Sequence, residues 1–111
     1  MAERIYNSPD GLLTLVVSQI GAKDWAVGFD GFPWHTHPDQ LLQTHGDTKE
    51  SALENFVSAI LENREIILVS RKGGEIVGVF VSDNLKLSIE HQHEDEDLEL
   101  RYWDGSQAKI G

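Results

Sequence analysis

The sequence predicts an α+β fold: a mainly antiparallel β-sheet with one long α-helix packed on one face, in the order β-β-β-loop-α-β-β-β-β. Three observations predict it. Short alternating or β-branched segments flank a single stretch of helical periodicity. Turn residues punctuate those segments at close intervals. No strand–helix–strand alternation recurs, which argues against a parallel sheet.

Ile5 and Tyr6 open a short first strand. Ser8-Pro9-Asp10-Gly11 places Pro and Gly where a β-turn needs them. Leu12 to Ile20 reads as a strand, with Leu13, Leu15 and Val17 on one face and Leu12, Thr14 and Val16 on the other. Both faces are largely apolar, which predicts a central strand covered on two sides. Gly21-Ala22-Lys23-Asp24 reads as a hairpin turn. The next strand carries a bulky face of Trp25, Val27 and Phe29 and a small face of Ala26, Gly28 and Asp30.

A loop follows, from Asp30 to about Gly46, in which Pro38 suits the first position of a short helical turn. Asp47 can cap a helix, and Glu50 three residues on can complete a capping box. Leu53, Phe56, Val57, Ile60 and Leu61 then form one apolar stripe, which predicts a helix over about 48–63 with a core-facing side. Glu65 to Ser70 reads as a buried strand, Arg71 to Gly74 as a hairpin turn, and Glu75 to Val81 as the returning strand. Gly78 in that strand marks a bulge or a close approach.

Leu85, Leu87 and Ile89 alternate with polar residues, which predicts a strand with one face in water. Its edge would allow a homodimer. His91 and His93 continue the apolar parity. Glu94-Asp95-Glu96-Asp97 reads as an exposed acidic turn. Leu98, Leu100 and Tyr102 alternate with Glu99, Arg101 and Trp103 in a last strand, closed by Asp104-Gly105.

With 111 residues the chain suits a single domain, residues 1–111. It has no cysteine, so disulfides, thiolate catalysis and Cys-based zinc sites are excluded. The first residues lack the apolar run of a signal peptide, and a cytoplasmic location is the expectation. The net charge of −10 disfavours nucleic acid and anionic membranes as partners, because both are held through Lys and Arg. The same charge would steer a basic protein partner toward the chain.

The densest chemistry lies in Gly31-Phe32-Pro33-Trp34-His35-Thr36-His37-Pro38-Asp39. His35 and His37 sit two apart, as do His91 and His93, so extended backbone would place each pair on one side. Asp39 follows the first pair, and a His–carboxylate set would suit zinc or another divalent transition metal, or orient an imidazole for hydrolysis. The Glu and Gly of a cupin metal motif are not at matching spacing after His37, which excludes that family. There is no nucleophile elbow, no phosphate-cradling loop and no His-Glu-x-x-His helix.

Without a recognisable catalytic set, the expectation is a small acidic, non-enzymatic binding protein of inhibitor or immunity type, with no cofactor and a basic protein partner. Phe32, Trp34 and Trp103 are its candidate anchors. Glu94, Asp95, Glu96 and Asp97 are its candidate steering charges. The alternative is the histidine-based metal or hydrolytic site on the 31–46 loop.

Overall fold

The computed structural model describes residues 3–22, 24–42, 44–81 and 96–108. Within them lie β1 (Arg4–Asn7), β2 (Thr14–Gly21), β3 (Asp24–Phe29), β4 (His35–Thr36), α1 (Pro38–Leu41), α2 (Lys49–Leu61), β5 (Ile67–Lys72), β6 (Glu75–Val81) and β7 (Asp97–Arg101). The class is α+β with antiparallel strands. These form two sheets, ordered β1-β2-β3-β4 and β6-β5-β7. The strand expected near Leu85, with its dimer edge, lies outside the described residues, as do His91, His93, Glu94 and Asp95.

The turn between β1 and β2 forms as its residues dictate. Gly11 N donates to Ser8 O at 2.9 Å, and Gly11 takes φ +76°, which favours glycine. Along β2, Leu15 and Val17 are fully buried and point to the core with Val27 of β3. The other face is not closed over. Val16 is half-buried, and Ile5, its register partner on β1, is 58% exposed. The expected double cover of this strand is therefore corrected: that face carries Thr14, Val16 and Ser18, too polar and small to demand a second layer.

Helix α2 buries Ala52, Leu53, Phe56, Val57, Ala59 and Ile60 against both sheets, in one cluster with Leu13, Leu15, Val27, Ile67, Val69 and Val79. Its N-cap is Thr48, whose hydroxyl accepts from Ser51 N at 3.1 Å while Ser51 Oγ accepts from Thr48 N at 3.2 Å. The expected Asp47/Glu50 box is thus displaced by one residue. The cause is Gly46: a Cβ there would stand 2.6 Å from Ala52 N, so the chain enters the helix in close contact with its first turn. At the far end Asn63 takes φ 61°, with Arg64 N on Ala59 O at 2.8 Å and Asn63 N on Ile60 O at 3.2 Å. That pairing is a Schellman ending with Asn in the left-handed position.

In the second sheet Ile67, Leu68 and Val69 are all fully buried, so β5 is covered on both faces. Between β5 and β6 the register shifts at Ser70 and Arg71, leaving Val77 as the extra, exposed residue beside Gly78. This is the bulge that Gly78 predicts. Of the acidic run, only Glu96 and Asp97 are among the described residues. Asp97 is already the first residue of β7, and Glu96 accepts from the Ser70 hydroxyl at 2.8 Å.

The two sheets are tied through Arg101. It is 2% exposed and donates to Asp10 Oδ2 at 2.7 Å, Tyr102 O at 3.0 Å and Trp103 O at 3.0 Å. Among the described residues no helix is long and apolar enough to cross a membrane.

Candidate functional site

The 31–46 segment is anchored to the first sheet by its own short strand. β4 pairs with β3 through His35 opposite Gly28 and Thr36 opposite Val27. Gly28 makes this approach workable, because a Cβ there would lie 2.7 Å from Trp34 O and 3.2 Å from His35 Cβ. Thr36 is buried and donates its hydroxyl to Gln40 Oε1 at 3.0 Å. Gln40 Oε1 also accepts from His37 N at 3.3 Å, which fixes the step from β4 into α1.

With Thr36 turned inward, His35 and His37 stand together. Their ring centroids are 5.0 Å apart and the rings are perpendicular, at 88°. Each Nδ1 faces a backbone carbonyl: His35 on Pro33 O at 3.0 Å, His37 on Trp25 O at 2.9 Å. A carbonyl oxygen only accepts, so each Nδ1 carries a proton, and Nε2 is the ring nitrogen whose lone pair remains in the neutral tautomer. Asp24 Oδ1 is 3.7 Å from the same His37 Nδ1. Asp39 does not join the pair. Its carboxylate lies 2.9 Å from Lys49 Nζ and holds the Lys49 ammonium above its ordinary range. Among the described residues no three His, Asp or Glu side chains converge on a common point.

His35 also borders a cleft of about 460 Å³, lined by Trp34, Gln40, Leu41, Thr44, His45, Phe56 and Glu65 among others. His45 is the oriented group inside it. Nε2 lies 2.8 Å from Glu65 Oε1, and Nδ1 lies 2.9 Å from Thr44 Oγ1. A carboxylate accepts, so Nε2 donates to Glu65. The Thr44 hydroxyl is also 3.2 Å from Leu41 O. The imidazole meets Phe56 edge-on at 5.1 Å, and Asn55 Nδ2 donates to His45 O at 2.6 Å. The arrangement holds the imidazole between the neighbouring Thr44 hydroxyl and a carboxylate 20 residues further along the chain. No local motif announces it. Thr44 and Glu65 are absent from the sequence-based candidates because only the folding of the loop onto α2 and β5 brings them together.

The aromatic candidates divide. Phe32 and Trp34 are half-buried and pack against the core, with Trp34 stacked on Phe29 at 6.0 Å. Trp103 is 5% exposed and belongs to the core itself, which corrects its assignment as a partner anchor. The strand ends at Arg101, and a turn with Gly105 N on Tyr102 O at 3.0 Å folds Trp103 inward. Comparison of the chain with protein-family models, curated proteins and solved structures finds no match.

Proposed function

We propose that the protein works by binding, as an acidic inhibitor- or immunity-type partner of a basic protein. The observation that carries this reading is the charge balance: 19 acidic residues face 9 basic ones. The cations Arg4, Lys49, Arg64, Arg71 and Arg101 are each already held by a carboxylate of the same chain. Each of these pairs uses one base and one acid, so the surplus of ten acids is left to set the outward field. Asp97 is exposed at the start of β7, next in sequence to Glu94, Asp95 and Glu96, and supplies one defined point of that field. Phe32 and Trp34 remain the candidate anchors, since both keep part of their surface open.

The test is capture of partners by the tag-free protein coupled to a solid support, beside an E94Q/D95N/E96Q/D97N variant of unchanged circular dichroism. The reading expects a basic protein retained by the parent at low salt and retained several-fold less by the variant. A partner of acidic pI, or equal retention by both proteins, would contradict it.

A further inference from the structure

We propose that His35 and His37 form a two-imidazole chelate for a late first-row transition metal, copper(II) ahead of nickel(II) and zinc(II). The inference stands apart from the binding reading and rests on different atoms.

The first argument is tautomeric. Metal-binding histidines characteristically donate their other ring N–H to a carbonyl or carboxylate, which fixes the ring and leaves the opposite lone pair for the ion. Both rings here have that arrangement, with Nδ1 on Pro33 O at 3.0 Å and on Trp25 O at 2.9 Å. The two Nε2 atoms are then the ones left to ligate.

The second argument is distance. Two imidazoles bound to one ion at about 2.1 Å per nitrogen keep their ring centres roughly 5 Å apart at ordinary ligand angles. The observed separation is 5.0 Å, with His35 on β4, His37 directly after it, and Thr36 between them buried and hydrogen-bonded to Gln40. The backbone under the pair is held by the pairing of β4 with β3, and His37 Nδ1 is held on Trp25 O.

Ligand chemistry then selects the ion. Imidazole nitrogen suits copper, nickel and zinc, and affinity rises toward copper along the first row. Hard cations such as calcium and magnesium demand oxygen ligands and are disfavoured. Asp39 is paired with Lys49, so the remaining coordination positions fall to water or to an exogenous ligand. Because His35 borders the 460 Å³ cleft, such a ligand has room on that side.

The experiment titrates tag-free protein with copper(II), nickel(II), zinc(II) and magnesium(II) separately, by calorimetry. The parent is compared with His35→Ala, His37→Ala and His91→Ala/His93→Ala. Histidine nitrogen NMR of the metal-free protein reads the tautomers. The proposal expects one copper per chain, weaker nickel and zinc, and no magnesium binding. It expects about tenfold or greater loss of copper affinity in each of His35→Ala and His37→Ala, near-parent affinity in His91→Ala/His93→Ala, and the Nδ1–H form at residues 35 and 37. Copper binding that survives both single variants, a site lost only with His91 and His93, or Nε2–H tautomers at the pair would overturn it.

Discussion

Asp10 and Arg101 lie 91 positions apart and meet at 2.7 Å. Arg101 is almost wholly buried, and a buried guanidinium depends on its acceptors being in place. Hydrogen bonds from Arg101, then from the Ser8 hydroxyl, hold the Asp10 carboxyl well below the ordinary carboxylate range. A depressed carboxylate stabilises the fold above its unfolded pKa of about 4 and loses that contribution as pH falls toward its folded value. Denaturant unfolding should therefore show stability falling below about pH 4. Asp10→Asn should cost about 1–3 kcal/mol at neutral pH, by removing the counter-charge of the buried Arg101 and one of the two acceptor oxygens that serve Arg101, Ser8 and Leu12, and should flatten the acid limb. Trp103 gives the second prediction at this scale. Trp103→Ala should cost about 3–5 kcal/mol in the same assay, as a core aromatic does. A surface anchor would change stability little. Trp103 reads as an anchor on residue type alone, since Trp is a favoured hot-spot residue, and nothing local shows that the turn after Arg101 brings it into the core. The sequence placed His35 beside His37 correctly, because a separation of two residues is local geometry. It missed the contact between His45 and Glu65, because nothing local encodes a meeting across the helix.

Elements were legible where periodicity was strong and ambiguous where adjacent residues offered equivalent chemistry. The core stripe of α2 follows from its spacing, and four of its five marked residues, Leu53, Phe56, Val57 and Ile60, are buried. The start of the same helix was ambiguous by one position, since Asp47 and Thr48 can both cap. Packing of Gly46 on the first turn selects Thr48. Thr48→Ala should then cost about 1 kcal/mol in thermal or chemical unfolding, and Asp47→Ala markedly less. The reverse ranking would restore the other cap. The second sheet was hard to read for a related reason. β5 is buried on both faces, so the alternation in β7 does not say which side is core. In β7, Glu99 and Arg101 stand opposite Val69 and Ile67, yet only Arg101 is buried; Leu98 and Leu100 stand opposite Ser70 and Leu68 and are half-buried.

At the scale of the whole molecule, one cluster of buried side chains serves both sheets and α2, and the acids outnumber the bases by ten. Fold class was readable from the alternation of short strands around one helix. Division into two sheets was not, because strand pairing is a long-range choice that periodicity leaves open. Charge is a property of the surface and says nothing about fold. For the basic partner proposed above, its consequence would be kinetic: long-range attraction would accelerate encounter and be screened by salt. The most direct measurement is the association rate of the captured partner across a range of ionic strengths, for the parent and for E94Q/D95N/E96Q/D97N. The account predicts a rate that falls steeply with salt for the parent, with a slower rate and a shallower slope for the variant. A parent rate indifferent to salt, or identical slopes for the two proteins, would contradict it.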